Sequence, residues 1–349
     1  MRRIAYSVAI REAIEEEMRR DSSVFLLGED IAEHGGCFGV TRSLVERFGR
    51  DRVRNTPISE NGMVGIALGA ALLGMRPVAE IMFMDFITLA MDQLVNHAAK
   101  FHYVYGGGIR VPMVLRTPAG AGRGYGATHS QSFESWLLSV PGLKVVAPAY
   151  PRDAKGLLKS AIREDNPVVQ IENKVLYGFI DEVPDEEELI PIGKARVVHR
   201  GRDITLIAHS RMVHEAAGAA HVLGTLGISA EVIDLRTLYP LDMDALLESV
   251  RKTRRALLIE EGVQRWGVTS EISCRLTEAC FDCLAGPIQR IGFPDIPVPC
   301  GYELEQMVLP TASTIVSKAC DMVHVAHAAR VESSHPNRRS ATPDNEATT

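Results

Sequence analysis

The chain has 349 residues, 46% hydrophobic and 23% charged, with a net charge of −6. That length is ample for two hydrophobic cores, the composition is that of a globular protein, and the acidic balance gives no electrostatic basis for binding nucleic acid. No uninterrupted apolar run reaches the roughly 18–20 residues of a membrane span, and acidic residues from Glu12 onward argue against a signal peptide, so a cytoplasmic location without membrane partners is expected.

Residues 7–18 read as a helix, and Val24-Phe-Leu-Leu-Gly28 as a strand running into Glu29-Asp30. Residues 42–49 are again helical. The stretch Asn55-Thr-Pro-Ile-Ser-Glu60 then passes into residues 63–73, which hold no charge and no strongly polar side chain. A segment apolar all round predicts a buried helix. Its glycines, Gly62, Gly65 and Gly69, lower its propensity, so close packing must stabilise it. Glu60 stands at its mouth, either as a solvated carboxylate complementing the helix dipole or as a desolvated one set for chemistry.

Residues 77–84 predict a strand that leads through Asp85-Phe86 into a helix over 89–101, and residues 110–116 another strand. Phe86 is either core or a stacking platform. The loop Gly120-Ala-Gly-Arg-Gly-Tyr-Gly126 runs into Thr128-His129-Ser130. Alternating glycines suit a mobile surface loop, or one whose backbone must approach a ligand. His129 is a satisfied loop histidine or a proton donor near working pH. Residues 144–147, a helix over 154–163 and a strand over 167–171 complete an alternation that predicts a mostly parallel sheet covered on both faces.

The acidic run Asp181-Glu-Val-Pro-Asp-Glu-Glu-Glu188 reads as a linker. In the second half, strands at 204–209, 230–234, 256–260 and 288–292 alternate with helices at 213–226, 242–251, 269–281 and 312–324. His209 and Arg211 take a strand-end position where α/β folds bind ligands, or hydrogen-bond across domains or subunits. Cys280 and Cys283 have metal-like spacing without a second ligand pair, and read as neighbours on a helix in a reducing compartment. Phosphate-loop, nucleophile-elbow and zinc-protease motifs are absent.

Many specific segments stand in order: Gly28-Glu-Asp30, Asn55-Thr-Pro-Ile-Ser-Glu60, Arg76-Pro-Val-Ala-Glu-Ile81, Asp92-Gln-Leu-Val-Asn-His-Ala-Ala-Lys100, His129-Ser-Gln131, Pro141-Gly-Leu-Lys-Val-Val146, Asp153-Ala-Lys-Gly-Leu-Leu158 and Asp234-Leu-Arg-Thr-Leu238. Over residues 4–325 the chain resembles the beta subunits of the thiamin-diphosphate-dependent 2-oxo acid dehydrogenases, the first components of the pyruvate, branched-chain and acetoin dehydrogenase complexes. The resemblance implies two parallel-sheet α/β domains: a transketolase-type pyrimidine-binding domain over 1–183, a linker over 184–192, a transketolase C-terminal domain over 193–328 and a disordered tail over 329–349.

It also implies roles. Glu60 would hydrogen-bond a ring nitrogen of the cofactor's aminopyrimidine, favouring the tautomer that deprotonates the thiazolium carbon; that carbon attacks the 2-oxo group and CO2 leaves. Phe86 would pack on the pyrimidine, and His129 would face the substrate and an incoming lipoyl group. A potassium ion would sit on backbone carbonyls of Met113, Ala161, Ile162, Glu164 and Asn166. The Gly-Asp-Gly segment by which such enzymes hold magnesium and the diphosphate is missing. The resemblance therefore implies an alpha subunit that binds the diphosphate and Mg2+, in a heterotetramer of two alpha and two beta chains. A lipoyl-bearing acyltransferase would be the other partner, with the C-terminal domain serving assembly and docking. Thr56-Pro-Ile-Ser-Glu60 and Lys100-Phe-His-Tyr103 favour pyruvate or acetoin over a branched-chain 2-oxo acid, while the loop 295–305 lacks the Pro-Tyr-Ala-Lys of pyruvate-type chains. A non-catalytic scaffold paralogue is the reading of another class, opposed by the intact Glu60, Phe86 and His129.

Overall fold

A computed structural model describes residues 1–333, with side chains as far as Val323. Its strands in chain order are β1 (Arg2–Ala5), β2 (Val24–Gly28), β3 (Val53–Asn55), β4 (Arg76–Glu80), β5 (Val114–Ala119), β6 (Lys144–Val146) and β7 (Val168–Asn173), then β8 (Ile180–Val183), β9 (Arg196–His199), β10 (Ile204–Ala208), β11 (Ala230–Asp234), β12 (Thr237–Tyr239), β13 (Ala256–Val263) and β14 (Gln289–Phe293). The first sheet has the order β12-β6-β7-β5-β4-β2-β3, the second β14-β13-β10-β11-β9.

Six strands of the first sheet, β2 to β7, run parallel. β2, β5 and β7 are buried at every residue because helices cover both faces; β2 reads as an unbroken apolar run, while β5 and β7 bury Arg116, Thr117, Gln170, Glu172 and Asn173 among apolar residues. The seventh strand is unexpected. β12 comes from the second half of the sequence yet pairs antiparallel with β6. At three residues it is too short to announce itself by pattern, and it stitches the two halves together. In the second sheet β9 adds an antiparallel edge to the parallel strands β11, β10, β13 and β14.

The acidic stretch expected as a linker begins as β8, which pairs antiparallel with β1. Beyond it, Glu187 and Glu188 are held by Lys159, Arg163 and Arg152. The helix Tyr6–Arg20 buries Tyr6, Ile10, Ile14 and Met18, and its Glu16 pairs with Lys155 and Lys159 of the helix Pro151–Arg163 at 2.6 and 2.7 Å.

Three expectations are corrected. The helix Glu60–Leu72 is buried on one face only: Met63, Val64, Ala67, Leu68 and Ala71 pack inward, while Ile66 (62% exposed) and the neighbouring Leu73 (87%) face outward. It packs on β4 and β2 with its inward face, which leaves the opposite face uncovered. The single helix expected over 89–101 is instead a 3-10 segment Met84–Ala90, a wide π turn Asp92–Ala98 and a short helix Ala99–Val104. The last helix, Ala312–Ser333, continues past 324 into the expected tail, and the rest of that tail, 334–349, lies outside the described residues. Among the described residues no helix is long and apolar enough to cross a membrane. The six cysteines are unbridged.

Candidate active site

Parallel strands deliver their carboxyl ends to one edge of a sheet, and that edge is where open α/β folds hold ligands. Here β2 ends at Gly28 and hands over to Glu29. β3 ends at Asn55, and the turn after it leads to Glu60. β4 leads to Asp85 and Phe86, β5 to the glycine loop and His129, and β7 to Lys174. Thr56 N donates to Gly28 O at 2.9 Å, closing the first two of these turns on each other. Glu60, Phe86 and His129, picked out singly in the sequence, are thus brought to one edge.

Glu60 is the first residue of its helix and is buried, with Glu29 beside it. Burial, then the Glu60 carboxylate, raise the Glu29 carboxyl above its usual value, against a hydrogen bond from the Ser59 backbone. Three buried oxygens on this edge have no hydrogen-bond partner in the chain: Glu29 Oε1, Thr56 Oγ1 and Asp85 Oδ2. Buried polar atoms are almost always paired, so unpaired ones at strand ends are candidates for contact with a ligand. Asp85 spends its other oxygen on Gln131, accepting from Nε2 at 2.8 Å and from the backbone N at 3.2 Å, which ties the 3-10 segment to the histidine loop.

Aromatic rings fill the space between. The imidazole of His129 meets Phe86 edge-on at 5.2 Å and Phe83 at 5.0 Å, and Phe83 packs edge-on against Phe86, Phe38 and Tyr125. Such edge-to-face contacts fix ring planes as well as positions. Thr128 Oγ1 lies 3.1 Å from His129 Nδ1, which leaves Nε2 as the nitrogen for a ligand.

The glycine loop is held by hydrogen bonds to the second half of the chain. Gly120, Gly122, Gly124 and Gly126 all have positive φ, between 71° and 97°, so the alternation of glycine follows an alternation of backbone conformation. The backbone approach that one of the two sequence readings required is also present, but to protein: a Cβ on Gly122 would lie 2.7 Å from Arg211 Nη1. Two carboxylates of the second half bind the loop's amides. Glu261 accepts from Ala121 N at 2.6 Å and Glu305 from Gly124 N at 2.8 Å. The C-terminal half therefore shapes the histidine loop, a task beyond the assembly and docking expected of it. His209 is buried beneath this seam with Nδ1 unpaired, and burial pulls its pKa down to about 4. It stays neutral, and the hydrogen bond across domains that one of its two sequence readings expected is not made by Nδ1. Lys174 and Phe83, absent from the sequence reading, are the additions; the signal for Lys174 was a lysine directly after a six-residue buried strand.

Two of the five positions expected to ring a potassium ion give their carbonyls to a guanidinium. Arg76 Nη1 donates to Ile162 O at 2.9 Å and Glu164 O at 3.0 Å, and Val168 N to Met113 O at 3.0 Å. Arg76 thus brings positive charge to the carbonyls of Ile162 and Glu164. Among the described residues no group of three or more His, Cys, Asp or Glu side chains is placed to hold one.

Residues 2–179 match the model of the transketolase pyrimidine binding domain, and residues 193–315 that of the transketolase C-terminal domain. The chain is 44% identical to the pyruvate dehydrogenase E1 component subunit beta of Dictyostelium discoideum over 315 residues, covering 89% of this chain and 88% of that protein. It belongs to the family of these beta subunits. The Rickettsia felis member is 45% identical, with 89% and 97% covered. The family extends to the beta subunit of an acetoin:2,6-dichlorophenolindophenol oxidoreductase from Cupriavidus necator, 44% identical over 91% of this chain and 97% of that one. Among solved structures a split-gene transketolase described as an inactive beta4 tetramer superposes with a TM-score of 0.78 at 22% identity, covering 93% of this chain and 99% of that one, which supports the fold alone. The family is one linked to thiamin diphosphate, and the unpaired acceptors of the strand-end edge, beside a half-buried phenyl ring, suit a polar aromatic heterocycle.

Proposed function

We propose that this chain is the beta subunit of a 2-oxo acid dehydrogenase first component, acting on pyruvate or cleaving acetoin, with Glu60, Phe86 and His129 as its working residues. One observation carries the reading: a buried glutamate at a helix start shares a strand-end edge with unpaired buried oxygens, a half-buried phenylalanine and a histidine edge-packed on it. Thiamin diphosphate, when bound, supplies the carbon nucleophile and takes up the electrons left as the carbon–carbon bond breaks. Glu60 then holds a proton against a ring nitrogen of the pyrimidine, a hydrogen bond strengthened by the low-dielectric wall of Met63, Val64 and Ala67 behind it. Phe86 offers its face to the pyrimidine. His129 Nε2 hydrogen-bonds or protonates an oxygen or sulfur of the reacting acyl group.

An alpha subunit completes the site. No Gly-Asp-Gly segment occurs in the chain, so the diphosphate and its Mg2+ fall to that partner. The outward face of the helix Glu60–Leu72 supports this. Ile66 borders an open cleft of about 610 Å³ whose walls include Phe25, Leu27, Met63 and Met75, an apolar face one chain leaves uncovered. A heterotetramer and delivery of the acyl group to a lipoyl-bearing acyltransferase follow from the same family reading, as does a location outside the membrane. Potassium at Met113, Ala161, Ile162, Glu164 and Asn166 would have to share two carbonyls with Arg76, and no step above runs through it.

The test is reconstitution with the alpha subunit, thiamin diphosphate and magnesium. Glu60→Gln should assemble normally and lose turnover by about 10²–10⁴-fold, the usual scale for removing a positioned acid or base. Undiminished turnover would sink the assignment.

A further inference from the structure

We propose that Lys174 is a positioning residue for His129: its buried ammonium holds the histidine's carbonyl and the face of the Phe83 ring on which the imidazole packs, and so sets how the imidazole enters the site. Lys174 is fully buried at the carboxyl end of β7. Nζ donates to His129 O at 2.5 Å and lies 5.2 Å above the centre of the Phe83 ring. The same ring meets the imidazole edge-on at 5.0 Å and Phe86 at 6.0 Å. One cation thus touches the backbone of the histidine and the ring that orients its side chain.

Lysine is an expensive choice for this place. Burial pulls its pKa down to about 8, against the opposing pull of Asp85, Glu261 and Glu305. A hydrogen-bond donor alone could have been neutral. The three carboxylates explain the charge, because each also holds the loop that carries His129: Asp85 through Gln131, Glu261 through Ala121 and Glu305 through Gly124. Lys174 stands among them as the counter-charge. Its own carbonyl is pinned by Arg123 Nη2 at 2.7 Å, and Asn173 before it donates to Glu261 at 2.9 Å. The histidine is therefore held by a charge cluster drawn from both halves of the chain.

The proposal rests on the thiamin reading above, and the experiment separates the two. Lys174→Met, His129→Ala, their double variant and Glu60→Gln are each assembled with the alpha subunit, and kcat and KM are measured for 2-oxo acid turnover and for lipoyl acylation. Lys174→Met should lower kcat about ten- to hundredfold in whichever reaction His129→Ala slows, the scale of one charge-assisted hydrogen bond, with KM little changed. In the His129→Ala background it should cost less than about twofold. Lys174→Arg, which keeps charge and donor, should recover part of the loss. If Lys174→Met fails to assemble, Lys174→Gln carries the same comparison. Equal losses in both backgrounds, or full kcat in Lys174→Met, would overturn the positioning role while an inactive Glu60→Gln leaves the thiamin reading intact. A fully active Glu60→Gln would overturn that reading first.

Discussion

Two sets of buried polar side chains lie in the same sheet and are finished in opposite ways. Arg116 on β5 is 1% exposed and gives Nε and Nη2 to the two oxygens of Glu172 on β7, at 2.8 and 2.7 Å, and Nη1 to Glu80 on β4 at 2.6 Å. Tyr177 adds a hydrogen bond to Glu172 at 2.7 Å. At the carboxyl edge of that sheet, Glu29, Thr56 and Asp85 each keep a buried oxygen without a partner in the chain, and Glu60 stands next to Glu29. A buried charge is tolerable when its partners belong to the fold. The first set has them, so it is structure. The second is only partly finished: Asp85 binds Gln131 and faces Lys174, but one buried oxygen on each of its three residues is left for a partner from outside.

The comparison is most directly broken at Glu60. Its substitution by Gln should abolish most turnover while leaving assembly and the unfolding midpoint unchanged within error, because no partner in the fold is lost. The opposite is expected of Arg116→Met, which leaves Glu80 and Glu172 buried without a counter-charge. It should cost about 3–5 kcal/mol of stability, measured by denaturant unfolding, the usual penalty for removing one member of a buried pair. If Arg116→Met proves nearly neutral in stability, or if Glu60→Gln unfolds the chain, paired and unpaired sets do not divide into structure and function.

Much of this was legible in the sequence, and the reason is local. β2, β10, β11 and the first part of β13 are short apolar runs between turn residues, and such a run carries its own signature. Glu60 and His129 stand out in the sequence because each lies in an ordered motif, and Phe86 because it follows a strand. What failed depends on residues far apart in the chain. β12 joins a sheet built mainly from the first half. Phe38 stacks on Tyr177 at 4.9 Å from within a glycine-rich loop, and nothing in that loop's pattern points there. Glu261 and Glu305 reach the histidine loop across more than a hundred residues. The outward face of the helix Glu60–Leu72 was misjudged for a related reason: apolar composition reports that a surface will be covered, not which chain covers it.

Another carboxylate tests whether burial alone is enough to mark function. Glu134 is buried in the first turn of a short helix, Glu134–Leu138, and lines a cavity of about 1060 Å³ between the halves. Burial, reinforced by Glu261 and Glu260, raises its pKa to about 8. Its cavity is also lined by Thr128, Ser130 and Gln131 of the histidine loop, but Glu134 makes no hydrogen bond or ion pair to Glu60, Phe86 or His129, so Glu134→Gln should keep turnover within about twofold. Its effect should appear in stability, with a sign fixed by linkage. Between the ordinary carboxylate range and about 8 the folded chain keeps a proton on Glu134 that the unfolded chain has released. The wild-type fold therefore loses stability as pH rises through that window, and Gln, with no proton to lose, does not. The melting midpoint of Glu134→Gln should match wild type near pH 5 and exceed it by a few degrees, about 2–4 °C for each kcal/mol relieved, near pH 8.5. A loss of turnover without that pH-dependent gain would place Glu134 with Glu60, and the catalytic edge would then extend into the cavity between the halves.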